Sequence, residues 1–536
     1  MKRLKAAVLI AALLVVSAAA SGPWRSAGGA SIIGGPYAAL LMASTNLGPS
    51  RAGDVQLTVT LRDAARPSAL IDWAETHRLA VRWRPGDDFA FVAGAAQPIA
   101  DAFGVPVHDY RGRQGQQFYA SPRQPALPSA LYDDVTAVGR ILSYLPHGMA
   151  RPMVPLDVPR PGLTPAQLLT AYGADPLVAA GYRGAGQTLV FFVFDGYDQS
   201  DLDMFADRSG LPRFTPVVVG GPLGPPDGEA VMDLEIAHAI APEAQLVVVN
   251  ARPTVEGDAP FEKIGRMFDD AAQRFPASVW SLSIGWGCEA LVNAADVAPV
   301  RAALAGAHRR GITVFDASGD AAGLECKGGK DWSSAPGPDD VGVDTIASLP
   351  EVTSVGGTTL STDMKGRWMD EWGWTDVPMS QGSSGGVSRL FARPDFQRGI
   401  TVERDTDHRL VPDVAAVADP FTGVQIVFGQ KVRIGGGTSQ SAPIWAGLTV
   451  LMNQYVLDHG GRPLGDINPL LYRAAQGSRL PGFHDITKGG NAVDNPGPGY
   501  DLVTGLGSPI AANLAQNLLE VQKAGSVAAG FAPGGG

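Results

Sequence analysis

Cysteine is almost missing from this chain: 536 residues carry only Cys288 and Cys326. So isolated a pair disfavours a cysteine metal site and, in an oxidising compartment, reads as a disulfide. Basic charge is also short. Lys and Arg number 42 against 53 Asp and Glu, for a net charge of -11. No basic stripe is available to neutralise phosphates, which argues against nucleic acid as a partner. Long apolar runs are lacking beyond the first residues. Residues 1–20 open with Lys2, Arg3 and Lys5, run apolar from Ala6 to Val16 and close on Ala18, Ala19 and Ala20. That is the layout of a cleavable secretory signal, too short in its apolar part for a spanning anchor. An uncleaved signal anchor is the alternative. The next run, Tyr37 to Met42, is shorter still, so a soluble protein is expected, secreted to the extracellular space or held in the periplasm. Finally, none of the eight histidines stands in a His-Gly-Thr-His context, the signature of one large class of Ser-His-Asp enzymes. His238, near carboxylates on a predicted helix, is read as structural.

Gly (67) and Pro (42) are plentiful, which suits a large loop-rich chain better than a helical bundle. The length calls for two domains plus appendages. Residues 21–50, rich in Gly, Ala and Ser, read as a flexible leader. From 51 to 145 strands and helices alternate in a small α+β unit. Residues 146–162 hold five prolines without periodicity and read as a linker open to cutting. The unit ahead of it is then a removable pro-segment, or else an accessory binding domain. From 163 to 520 short apolar runs alternate with helical stretches, which predicts a parallel sheet covered on both faces. Sites in such sheets form at the carboxyl ends of strands. Residues 521–536 read as a small-residue tail, and no internal repeat is visible.

The stretch Gly435-Gly436-Gly437-Thr438-Ser439-Gln440-Ser441-Ala442-Pro443 marks a switch from strand to helix periodicity. Ser439 falls at the helix start, where unpaired N–H groups could hold an oxyanion beside an attacking hydroxyl. A plain helix cap is the other reading. The base such a serine needs is offered by Glu229 and Asp233, at i and i+4 on a helix after Asp227-Gly228. Two close carboxylates repel, so one is raised and a proton is shared; a solvated acidic face is the bland alternative. Asp320, in Ala317-Ser318-Gly319-Asp320, ends a strand; protonated, it could donate to an oxyanion, and taken alone it is a turn residue.

At these positions the sequence resembles the sedolisins, or serine-carboxyl peptidases. Their Glu-x-x-x-Asp, Ser-Gly-Asp and Gly-Thr-Ser-x-x-x-Pro motifs match Glu229/Asp233, Asp320 and Gly437 to Pro443, in the right order. Likeness extends over about residues 50 to 515, through Leu163–Gln167, Ser283–Trp286 and Arg409–Val414. The resemblance implies an α/β, subtilisin-like parallel sheet with helices on both faces, preceded by a small α+β (ferredoxin-like) pro-domain. It makes Ser439 the nucleophile, Glu229 the general base and Asp233 its orienting partner, and it places Asp320 at the oxyanion hole. The family's supporting acid, bonded to the catalytic Glu and backed by a Trp, is less well matched. Trp286 fits the Trp, whereas Asp195 is the acid nearest the strand end and is displaced by a few residues.

Near the carboxyl end, Phe483-His484-Asp485-Ile486 leads to Pro496-Gly497-Pro498-Gly499-Tyr500-Asp501. On composition this is a Gly/Pro loop. The resemblance makes it a site for one calcium ion, with Asp485 and Asp501 giving carboxylates and Ile486, Gly497 and Gly499 giving carbonyls. Cys288 and Cys326 would then join two loops at the active site. The function so implied is a secreted acid-acting endopeptidase. It would be made as a self-processed precursor held by its own pro-domain and act on proteins or peptides. A tripeptidyl exopeptidase and a silent binding protein on this scaffold are the alternatives.

Overall fold

The computed structural model describes residues 31–112, 115–144, 162–327, 337–376, 380–402 and 407–530. The expected signal, the first part of the leader, all but the last residue of the linker and residues 531–536 lie outside these.

The chain begins with helix α1 (Gly35–Met42) and strand β1 (Thr45–Pro49), followed by β2 (Val55–Leu61), α2 (Ser68–Thr76), β3 (Ala80–Arg82), β4 (Phe89–Gly94) and α3 (Ala96–Phe103). Strands β5 (His108–Arg111), β6 (Gln117–Ala120) and β7 (Val135–Val138) complete the unit. Four strands form an antiparallel sheet in the order β3-β4-β2-β7, and β1-β5-β6 form a second sheet. Leu57 and Val59, on β2, and Leu70, Ile99 and Phe103, on the two helices, share one core.

The expectation of a flexible leader over 21–50 is corrected from residue 31 on. Tyr37 is fully buried, and its single hydroxyl proton lies within reach of the carbonyls of Ser121 (2.8 Å) and Ile141 (3.1 Å). Ile33 and Tyr37 enter a core built by the larger domain, with Trp286, Cys288 and Leu291. The short apolar run is therefore a strap across both units. Tyr37→Phe takes the hydroxyl from the Ser121 carbonyl, whereas the Ile141 carbonyl keeps the Ser121 N–H (3.0 Å), and is expected to cost about 1–2 kcal/mol. The check is the denaturant midpoint of the full-length protein, at unchanged slope.

The larger domain opens with α4 (Pro165–Ala171) and α5 (Asp175–Ala179), then β8 (Thr188–Val193), α6 (Gln199–Ser209), β9 (Val217–Val219), α7 (Glu229–Ile240), β10 (Gln245–Asn250) and α8 (Pro260–Arg274). It continues through β11 (Val279–Leu282), α9 (Ala298–Arg309), β12 (Thr313–Ala317), β13 (Thr353–Thr362) and β14 (Trp368–Gly373) to α10 (Thr438–Asp458), α11 (Asn468–Gly477) and α12 (Ala511–Gly530). The sheet runs β14-β13-β12-β11-β8-β10-β9. It is parallel except for β14, and the strand Val414–Val417 also pairs with β13. Its strands read as continuous apolar runs because both faces are covered. Leu189, Phe191 and Val193 of β8 point into the core shared with α7, α10 and α12, whereas Val190 and Phe192 point into the core shared with α8 and α9.

Helix α7 is buried along its whole length, and α10 from Thr438 to Asn453. These two pack together inside the domain, so any charge on α7 is a buried charge. The expected tail is also corrected, since α12 continues to Gly530. Gln522 is buried and bridges Arg462, accepting from its N–H (3.1 Å) and donating to its carbonyl (3.0 Å).

Candidate active site

Helix α7 begins after Gly228, whose φ of 110° is a left-handed value suited to glycine. Its first amides have no partner within the helix. Asp195, just past the end of β8, supplies one. Oδ2 accepts from the N–H groups of Asp227 (3.0 Å), Gly228 (3.0 Å) and Glu229 (3.2 Å), and Oδ1 from Ala230 (3.0 Å). A strand end is thus tied to a helix start, with negative charge at the positive end of the helix dipole. Burial outweighs these bonds and leaves the Asp195 carboxyl above its usual range. The carboxylate is engaged by backbone, so the expected bond from a supporting acid to the Glu229 side chain is not made by Asp195.

Glu229 and Asp233 sit one turn apart, 2 % and 0 % exposed. Burial first, and then the neighbouring carboxylates, drive Glu229 well above the ordinary range; burial also drives Asp233 up. Both Glu229 oxygens and Asp233 Oδ2 lack a hydrogen-bond partner among the described residues. The Ser439 hydroxyl is nonetheless near enough to favour the Glu229 carboxylate, and the charges of Asp233, Asp195 and Asp320 act on it as well. Asp233 Oδ1 meets the Ser283 hydroxyl at 2.7 Å.

Ser439 arrives from the other side on the first turn of α10. Gly437 precedes it with φ of 82°. A Cβ on Gly435 would stand 2.9 Å from the Met232 sulfur, so glycine lets this loop lie against α7. The Ser439 hydroxyl is 3.5 Å from the Ser283 carbonyl. Asp320 Oδ1 accepts from the N–H (2.7 Å) and hydroxyl (2.9 Å) of Thr438, and Thr438 Oγ1 accepts from Gly319 N–H at 3.1 Å. Burial raises the Asp320 carboxyl against these bonds. The four residues singled out from sequence therefore meet at one point, at the carboxyl ends of strands. Trp286 is fully buried and meets the Phe194 ring edge-on at 5.8 Å. Its indole N–H has no partner among the described residues.

No protein-family model matches the chain. Kumamolisin of Bacillus sp. (strain MN-32) is 33% identical over 484 residues, covering 83% of this chain and 82% of that protein. The chain belongs to the sedolisin family. Sedolisin of Pseudomonas sp. (strain 101) is 27% identical over 449 residues, 77% of this chain and 72% of that one. Human tripeptidyl-peptidase 1 is 28% identical over 456 residues, 78% and 76% of the two chains. The solved structure of Pseudomonas sedolisin, a serine-carboxyl proteinase complexed with two molecules of pseudo-iodotyrostatin, aligns with a TM-score of 0.57 at 25% identity, over 67% of this chain and 98% of that one. The protein is accordingly a serine-type peptidase with the mixed α/β fold and central parallel sheet of that structure.

In this sedolisin, Cys288 and Cys326 form a disulfide. His238 is removed from the chemistry. Its Nε2 is 2.7 Å from the Pro212 carbonyl, its ring stacks on Phe214, and burial lowers it to about 4. Several buried acids went unseen in the sequence. Asp344 accepts from Trp286 N–H (2.6 Å) and from Ile346 (2.9 Å) and Ala347 (3.1 Å). Asp316, on β12, is fully buried with both oxygens unpartnered among the described residues, and Asp344 adds to the rise in its carboxyl that burial begins. Asp316 could have been suspected as a charge inside an apolar run. Ser283, one serine among many, carried no signal.

In the loops near the carboxyl end, Asp485 accepts from Gly499 N–H at 3.1 Å with both oxygens. Asp501 accepts from Val503 (2.8 Å) and Thr504 (2.8 Å). The two carboxylates feel one another's charge. No set of three His, Cys, Asp or Glu side chains suited to a metal converges among the described residues. A site here would hold two carboxylates with backbone carbonyls, an all-oxygen donor set that fits calcium.

Proposed function

We propose that this sedolisin is a secreted, acid-acting serine-carboxyl endopeptidase, made as a self-processed precursor. What carries the reading is the buried Glu229–Asp233 pair beside the Ser439 hydroxyl, with no imidazole in reach among the described residues. Ser439 Oγ attacks the scissile carbonyl carbon while Glu229 takes its proton, and Asp233, one turn further along α7, orients Glu229. The tetrahedral oxyanion forms beside Asp320 and the amides at the start of α10. Glu229 then returns the proton to the leaving amine, and an ester remains on Ser439. Water, giving a proton to Glu229, attacks the ester carbonyl; the bond to Ser439 Oγ breaks, Glu229 returns the proton to Oγ, and the acid product leaves. Trp286 and Asp195 support the pair, Asp195 by fixing where α7 starts. A carboxylate base serves best near its own pKa, hence in acid.

The four-stranded unit with two helices is the ferredoxin-like pro-domain of this reading. It lies on α8 and the turn ahead of α9 through Gln56 to Glu262 (2.7 Å), Arg82 to Glu262 (2.6 Å) and Arg140 N–H to Asp296 (2.8 Å). Maturation would follow a cut in the 146–162 linker. The test is digestion of a denatured protein at acid pH, with product lengths read by mass spectrometry. Internal cuts support the endopeptidase, and a ladder of tripeptides assigns the exopeptidase mode. The absence of any cleavage at acid pH overturns the proposal in favour of a silent binding protein.

One calcium ion at Asp485, Asp501 and the carbonyls of Ile486, Gly497 and Gly499 would neutralise the two facing carboxylates and hold the loops closed. Chelation is expected to destabilise the fold by about 2–3 kcal/mol relative to calcium at a hundred times its Kd. Thermal melts with and without chelator decide it, and coincident curves remove the metal.

A further inference from the structure

Ser283, which follows β11, touches both halves of the candidate site through one hydroxyl. Its Oγ is 2.7 Å from Asp233 Oδ1 and 3.0 Å from the backbone carbonyl of Ser439. The Ser439 carbonyl needs an outside donor because the residue four positions on is Pro443, inside α10. Proline has no N–H to close the helical bond onto it. A carbonyl oxygen can only accept, and a serine hydroxyl has a single proton to give. If that proton goes to the Ser439 carbonyl, the second short contact needs a donor as well, and the donor can only be Asp233.

We infer that Ser283 is a positioning residue that keeps the resting proton of the acid pair on Asp233, through the chain Asp233 O–H to Ser283 O–H to the Ser439 carbonyl. Glu229 is thereby left as the ionised member, facing the Ser439 hydroxyl. The inference rests on the proposed roles of Ser439 and Glu229 and adds which carboxyl is protonated and why. Among the described residues, the charged groups that act on the pair are acids, Asp195 from the end of β8 and Asp320 from the end of β12. No cation among them competes for Asp233. The same geometry explains why a serine and a proline four apart go together here: the proline opens the carbonyl that Ser283 uses.

The test is the pH profile of kcat/KM for the full-length protein after maturation. Removing the hydroxyl in Ser283→Ala removes a bond made to protonated Asp233, so Asp233 loses its proton more easily. The alkaline limb is expected to move about one unit toward acid, the shift matching one hydrogen bond, and the acid limb to stay. Pro443→Ala gives the Ser439 carbonyl an N–H and frees the Ser283 proton to stabilise ionised Asp233; the same limb is expected to move the same way. Ser283→Thr restores it. An alkaline limb that stays or moves upward in Ser283→Ala shows that Ser283 donates to an ionised Asp233 and overturns the inference. Wild type without acid activity is instead a failure of the proposed function. The proton is then still assigned by infrared difference spectra of wild type against Asp233→Asn. A protonated-carboxyl stretch at mildly acidic pH, lost in Ser283→Ala, supports the inference, and a carboxylate band in wild type ends it.

Discussion

A Ser439→Ala precursor brought to acid pH is expected to stay at full length, while wild type shortens by the mass of everything ahead of a cut in the 146–162 linker. Removing the nucleophile of a serine peptidase lowers kcat on the order of 10⁶-fold, because base and oxyanion donors act only through it. Glu229→Gln is a milder change in shape and a severe one in chemistry. The amide fits a space in which neither carboxylate oxygen has a hydrogen-bond partner, but it cannot take a proton, so a loss of roughly 10²–10⁴-fold is expected. Melting curves should show both variants folded; Glu229→Gln should be no less stable than wild type, since a costly buried acid has been made neutral. Normal maturation of the Ser439 variant would refute the assignment. A Glu229→Gln enzyme with near-normal turnover would move the base elsewhere.

The second large effect is on stability across pH. Glu289 is fully buried, and burial pushes its carboxyl from 4.5 up to about 7 against bonds from Arg389 N–H and the Ser388 hydroxyl. Asp233, Asp316 and Asp344 are raised in the same direction by the same cause. In the unfolded chain these groups give up their protons near pH 4. Between that value and the folded one, the native state binds more protons, so stability falls as pH rises. Stability is therefore fullest at or below about pH 4 and drains away toward neutrality. Glu289 alone accounts for about 3 kcal/mol, or roughly 3–4 °C in Tm for a domain of this size, and the other acids add to it. Calorimetry from acid to neutral pH should show a falling Tm, and Glu289→Gln should flatten the slope. A Tm that climbs over that range would show the acids to be ionised in the folded protein.

Much of this was legible in residue order. The apolar runs that became β8, β10, β11 and β12 were readable because a strand buried on both faces tolerates no polar alternation. Helix α7 was readable to its last residue, since Gly228 starts it and the apolar pattern runs to Ile240. The four residues that the structure brings together could be singled out because each stands in a short motif with its own mechanical reason. What escaped was contact between distant segments. Tyr37 looked like part of a loose leader because its two acceptors lie at Ser121 and Ile141. Asp195 looked like a candidate for the Glu229 carboxyl, since sequence gives proximity to a strand end but not the direction of a side chain. Ser283 gained meaning only when Pro443 and Asp233 were seen on either side of its hydroxyl.

The strap at Ile33 and Tyr37 has a consequence for the order of synthesis. Domains emerging from the ribosome fold amino-end first, and the strap's docking partners, Cys288 and Leu291, are translated about 150 residues before Ser439. On the proposed reading, the restraining unit and its anchor would be assembled while the attacking hydroxyl has yet to be made, so that a nascent chain would be sheathed before it is armed.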